Sequence, residues 1–113
     1  MCLLIKTKSL QEINKILKDH KEELYKNYRV KEIGIFGSFV SSEQKKGSDL
    51  DMIIEFSDES SIGGFEYIGL MTELEEYLQK IVNINPYIAS KRHALSSDKW
   101  KGIEKEIFYV FRV

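Results

Sequence analysis

The stretch GSFVSSEQKKGSDLD, residues 37–51, decides how this chain is read. On its N-terminal side, Val30 to Phe36 is rich in apolar residues and stops at Gly37-Ser38, which reads as a β-strand running into a turn. On its C-terminal side, Asp49 to Phe56 alternates. Leu50, Met52, Ile54 and Phe56 share one face, and Asp49, Asp51, Ile53 and Glu55 share the other. That pattern predicts a second strand paired with the first. Between the two, Val40 to Ser48 is polar and contains Gly47, the signature of a turn or short helix followed by a loop.

The residue types at the ends of this stretch carry a specific chemistry. Gly37 follows a strand, where a missing Cβ lets backbone come close to a ligand. Backbone N–H groups just beyond it can point at an anion, and the Ser38 hydroxyl adds a donor for a phosphate oxygen. Asp49 and Asp51 are two apart on a strand, so their carboxylates leave one face about 6.6 Å apart. Paired carboxylates of this kind suit magnesium, which prefers oxygen ligands. An anion cradle at one strand end beside a carboxylate pair on the next strand describes a nucleoside triphosphate site, with Asp49 and Asp51 as catalytic metal ligands and Gly37 and Ser38 as nucleotide-binding residues. Taken singly, each half has a plain reading: Gly37-Ser38 as an ordinary turn, Asp49-x-Asp51 as a solvated strand face.

Working outward, Ser9 followed by Glu12 reads as a capping box. Leu10, Ile13, Leu17, His20 and Leu24 then recur at helical spacing, predicting one helix to about Tyr25. Asp58 to Gly64 is a loop, and Phe65, Ile68, Met71, Leu74 and Leu78 mark a second long helix. Ile81 to Ile88 reads as a third strand, with Pro86 either placing it at an edge or ending it. Ser96-Ser97-Asp98 offers a cap for a third helix with Trp100, Ile103 and Ile107 on one face. The tail Phe108 to Val113 is a last strand or the end of that helix. The tight connection between the first two strands points to an α+β fold with a small mixed or antiparallel sheet and helices packed on it.

Bulk properties narrow the function further. A chain of 113 residues reads as one domain, residues 1–113, with a single core. Seventeen basic residues face 18 acidic ones, a net charge of -1, which argues against a general nucleic-acid binder. Cys2 is the single cysteine, so neither an intramolecular disulfide nor a cysteine metal cluster is expected, and a reducing, cytoplasmic setting fits. The apolar run Cys2 to Ile5 is short for a signal-peptide core, and no segment has the length of a membrane helix. His20 falls on the stripe of the first helix and reads as packed or half-exposed. His93 lies in the basic run Lys91-Arg92-His93 and reads as solvent-facing. Trp100 reads as core in preference to a base-stacking platform, and the Phe108 to Phe111 cluster as core or as a partner surface.

At residues 37–51 the chain resembles the minimal nucleotidyltransferase family of the DNA polymerase β superfamily, which carries Gly-Ser, a spacer of this length, then Asp-x-Asp. The following run MIIEF, 52–56, is similar too. The resemblance covers most of the chain. It implies the nucleotidyltransferase fold and Mg2+ with ATP as substrate. It also implies a role as an antitoxin beside a HEPN-domain toxin, transferring AMP onto a tyrosine of that toxin. Residue by residue, Gly37 and Ser38 would hold the triphosphate, and Asp49 and Asp51 the magnesium.

Two positions depart from the family pattern. Members carry a third carboxylate on the next strand, where Val82-Asn83-Ile84-Asn85 stands here, so Asn83 is the expected occupant of that position. An amide there removes a base and a charge, and losing a general base costs about 10²–10⁴-fold. Asn83 and Asn85 read equally as solvent-facing strand residues. Glu55 is no substitute, about 13 Å from Asp51 along the strand. The family's arginine after Gly-Ser is absent from Val40-Ser41-Ser42, leaving Lys45 or Lys46 to meet the triphosphate.

Three functional readings follow. One is an adenylyltransferase acting on a protein hydroxyl. The second is an interaction module of the same fold, its catalysis weakened or ended by Asn83, that neutralises its partner by binding. The third is transfer to a small molecule such as an aminoglycoside, for which the chain is short. A minimal domain borrows its acceptor from a partner or from a second copy, so a hetero-oligomer or homodimer is allowed.

Overall fold

The computed structural model describes residues 9–41, 49–58, 61–91 and 100–113. In chain order these form α1 (Leu10–Asp19), α2 (Lys21–Tyr28), β1 (Val30–Phe36), α3 (Ser38–Ser41), β2 (Leu50–Phe56), α4 (Gly64–Val82), β3 (Pro86–Ser90), α5 (Trp100–Ile103), a 3-10 turn (Glu104–Glu106) and β4 (Phe108–Arg112). Cys2, Lys45, Lys46, Gly47, His93 and the cap Ser96-Ser97-Asp98 lie outside the described residues.

The sheet has the order β3-β2-β1-β4. β1 pairs antiparallel with β2 and β4, while β2 pairs parallel with β3, so the sheet is mixed, as the short first connection implies. The alternation in β2 works as read. Leu50, Met52, Ile54 and Phe56 enter the core with Ile33 and Ile35 of β1, against Ile13 and Leu17 of α1 and Leu74, Leu78 and Val82 of α4. The tail is a strand, β4, which lends Val110 and Phe111 to that core.

Four expectations are corrected. The predicted first helix is two. Ser9 does cap α1, its hydroxyl accepting the Glu12 N–H at 3.2 Å, but the helix breaks at His20, where φ is -104° and ψ 11°. The His20 N–H is shared between the Ile16 and Leu17 carbonyls, both at 3.2 Å, and His20 Nδ1 also bonds the Ile16 carbonyl at 2.7 Å, so backbone and side chain together close the last turn of α1. His20 itself is half-buried, edge-on to Tyr77 at 6.2 Å.

The stripe along α4 is also displaced. Phe65 is 95% exposed and Ile68 64%, whereas Tyr67, Leu70, Met71, Leu74, Tyr77, Leu78 and Val82 face the protein. Met71, Leu74 and Leu78 face inward as expected, and the stripe departs at Phe65 and Ile68 in the first turns, where apolar residues lie on both sides. Of the proposed third-helix face, only Trp100 to Ile103 is α-helical, and Ile107 is already extended.

The largest correction concerns the third strand. Ile81 and Val82 belong to α4, because the buried row Leu74, Leu78, Val82 continues at i+4 spacing. Asn83 ends the helix in the left-handed conformation, φ 61° and ψ 34°, with its N–H on the Gln79 carbonyl. Asn83 is therefore a helix cap and not a strand residue beside the acids. Pro86 opens β3, an edge strand, where a missing N–H is tolerated.

The second face of the sheet carries Glu32, Asp51, Ile53, Glu55 and Tyr109. Glu32 is 5% exposed, and its carboxylate meets Lys91 Nζ at 2.9 Å and Arg112 Nε at 2.6 Å. Lys91 also lies 4.0 Å from Glu55, so one row of charges ties all four strands. Gly34 is required on this face, since a Cβ there would lie 2.6 Å from Ile107 Cγ2.

Two stability outcomes follow from this packing. Leu78→Ala, at a fully buried position, is expected to cost about 2–5 kcal/mol in urea unfolding. The hydrogen bond to Glu32 raises the Lys91 pKa above its usual 10.5. The stabilisation is then fully present below that ordinary value and fades as pH rises through the raised one. Lys91→Met should lower stability at pH 7 by about 1–3 kcal/mol, with a deficit that shrinks in strongly alkaline buffer. An equal deficit at every pH would contradict this.

Candidate nucleotide and metal site

The site forms where β1 ends and β2 begins. Gly37 leaves β1 with φ +77°, a conformation open to glycine and strained for other residues. Its carbonyl accepts the N–H groups of Val40 and Ser41, both at 3.1 Å, which winds the chain at once into α3. Phe39, 1% exposed, fixes that turn in the core. Ser38 is half-buried at its start, where the first N–H groups have no partner within the helix.

The antiparallel register sets Phe36 opposite Asp51, which brings the Asp51 carboxylate against Gly37. A Cβ built on Gly37 would collide with Asp51 Oδ2. The glycine is thus required twice, for its φ and for the acid beside it. Asp49 stands one residue before β2, exposed, and its Oδ1 accepts a hydrogen bond from Asn85 Nδ2 at 3.0 Å. The Asn85 carbonyl accepts the Leu50 N–H at 2.9 Å, so this residue docks the entry to β3 onto the start of β2.

Burial first, and the Asp49 charge second, push the Asp51 carboxyl above the usual carboxylate range. A pair that resists carrying two negative charges is one that a bound divalent cation relieves, and the donor set is the oxygen type that such ions take. Among the described residues no group of three or more His, Cys, Asp or Glu side chains is placed to hold a metal. A divalent cation bound here would have two carboxylates among the described residues to hold it, Asp49 and Asp51.

Of the residues singled out in the sequence, Gly37, Ser38, Asp49 and Asp51 come together and Asn83 does not join them as a strand residue. The neighbour of Asp51 across the parallel register is Tyr87, 57% exposed. Glu55 faces Lys91. Trp100, 6% exposed, packs edge-on to Phe36 at 5.8 Å beneath the turn, as a core residue. Sequence reasoning missed Tyr87 and left Asn85 evenly between a solvent-facing strand residue and a site role. Starting β3 at Pro86 would have found both, because that start fixes the register against β2.

Comparison with known proteins bears on the family and the fold. The nucleotidyltransferase domain family matches residues 13–108. The protein adenylyltransferase MntA of Thermococcus cleftensis is 37% identical over 102 residues, which cover 90% of this chain and 96% of that one. Among solved structures, a tri-AMPylated Shewanella oneidensis HEPN toxin in complex with MNT antitoxin contains a chain that superposes with a TM-score of 0.54 at 12% identity, covering 88% of this chain and 73% of that one. A toxin-antitoxin crystallised with AMP-PNP gives 0.54 at 15% identity, covering 91% and 73%. At such identities the structural likeness speaks for the fold, while the sequence match over residues 13–108 speaks for descent: the chain belongs to the nucleotidyltransferase domain family.

Proposed function

We propose that this protein is an adenylyltransferase that binds Mg-ATP across Gly37, Ser38, Asp49 and Asp51 and passes AMP to a tyrosine hydroxyl of a HEPN-type toxin, acting as its antitoxin in the cytoplasm. The observation that carries the proposal is the packing of the Asp51 carboxylate on Gly37. It puts an acid that would hold a cation beside a backbone turn that would hold an anion. The name of the Thermococcus relative and the AMPylated toxin in the Shewanella complex support the acceptor class.

Each residue has a task in this reading. Gly37 lets the triphosphate approach the backbone, and the Ser38 hydroxyl donates to a phosphate oxygen. Asp49 and Asp51 would hold the magnesium, with Asn85 fixing the orientation of Asp49. When bound, magnesium would neutralise charge on the triphosphate as the bond at the α-phosphorus exchanges. Leu50 and Met52, both fully buried, hold β2 rigid so that the two acids stay aligned.

The binding-module reading took its premise from Asn83 on a strand, and Asn83 caps α4 instead. The residue that does flank Asp51, Tyr87, is not an acid either. With no further acid beside Asp51 among the described residues, the expected consequence is a slow transferase, reduced about 10²–10⁴-fold.

Three outcomes test the proposal. With radiolabelled ATP and the neighbouring HEPN-type gene product, the wild type should label the partner, and Asp49→Ala with Asp51→Ala should reduce labelling at least about 10²-fold. Equal labelling by the double variant would remove the reading. Gly37→Ala should fold yet bind Mg-ATP at least about tenfold more weakly, a loss of about 1.4 kcal/mol in calorimetric titration. Asn85→Ala should weaken Mn2+ binding about tenfold, since the freed Asp49 loses its orienting partner.

A further inference from the structure

The parallel pairing of β2 with β3 sets Asp51 opposite Tyr87, Ile53 opposite Ala89 and Ile54 opposite Ser90. Neighbouring strands lie about 4.8 Å apart, and residues paired in register project from the same face. The face is fixed by what surrounds it. Ile88 and Ser90 are buried on the core side, and Lys91, in phase with Tyr87 and Ala89, reaches Glu55, in phase with Asp51 and Ile53. Tyr87 therefore rises from the sheet beside Asp51. It is 57% exposed, and among the described residues none holds its hydroxyl. A phenol stands beside the acid of a site whose proposed acceptor is itself a phenol.

We infer that Tyr87 is an acceptor in its own right, so that the chain transfers AMP to itself when no partner fills the site. This rests on the adenylyltransferase reading. The Tyr87 oxygen attacks the α-phosphorus of ATP, forming an O–P bond while the bond from the α-phosphorus to the bridging oxygen breaks. Pyrophosphate leaves with that electron pair, and the phenol proton passes to solvent, to which Tyr87 is open. The product carries an anionic AMP group where a partner's tyrosine would enter, so each modified chain is closed to further transfer.

The test incubates the full chain with Mg-ATP and no partner. Intact mass should rise by one AMP, fragmentation should place it on Tyr87, and Tyr87→Phe should lower the adduct at least tenfold. The rate per molecule should hold on tenfold dilution, as transfer within one chain requires. No adduct, an adduct elsewhere, or a rate that falls with dilution overturns the inference. A parallel incubation of wild type with the HEPN-type partner keeps the two readings apart: partner labelled without self-labelling sinks this inference alone, and neither labelled sinks both. Binding gives an independent readout. Mg2+ with α,β-methylene ATP, which cannot release pyrophosphate, should produce a tyrosine difference absorbance in wild type that is lost in Tyr87→Phe. Its absence in wild type contradicts the juxtaposition.

Discussion

The contact between Gly37 and the Asp51 carboxylate is the constraint on which the rest of the site depends. It arises from the β1–β2 register, which pairs Phe36 with Asp51 and leaves the next residue of β1 directly beside the acid. A side chain at position 37 would fill that space, and a φ of +77° would strain it. Partial burial of Asp51, and after it the Asp49 charge, are why its carboxyl holds its proton more tightly than usual. Burial and a like-charged neighbour are unfavourable for a lone acid. They are reasonable for an acid that works with a cation.

The sheet supplies the rigidity that such a site needs. One face of β2 is wholly in the core, so Asp51 projects from a strand that cannot slip without turning Leu50, Met52, Ile54 and Phe56 toward solvent. On the far half of the face that carries Asp51, Glu32 bridges Lys91 and Arg112 and binds the strands laterally. The chain thus divides that face into a neutralised charge row at one end and an acidic pair at the other. Among the described residues of that face, the acidic end is where negative charge is left for a ligand.

Much of this was legible in the sequence, for a physical reason. The alternation from Leu50 to Phe56 has period two and flanks a glycine, and those features fix faces and a turn without tertiary information. The Gly-Ser and Asp-x-Asp spacing likewise survives as a motif because one half follows the end of β1 and the other opens β2. Where the reading failed, tertiary contacts decide. At His20 the first helix ends in a locally closed turn with the ring edge-on to Tyr77, which periodicity does not encode. Ile81 to Asn85 is β-branched and polar in a way that suits a strand, yet packing of Val82 below Leu78 keeps the helix going for one more turn. That single turn moves the neighbour of Asp51 from Asn83 to Tyr87, and with it the chemistry expected beside the acids.

The central claim is that a divalent ion and a triphosphate meet where β1 turns against β2. Paramagnetic broadening by substoichiometric Mn2+ in the presence of α,β-methylene ATP measures this residue by residue in an amide NMR spectrum. The account predicts loss of signal centred on Gly37 and Ser38, Asp49 to Asp51, and Asn85 with Tyr87, while Glu32 and Arg112 on the charge row keep theirs. Broadening centred on the Glu32 row, or spread evenly over exposed acids such as Glu22 and Glu66, would contradict it.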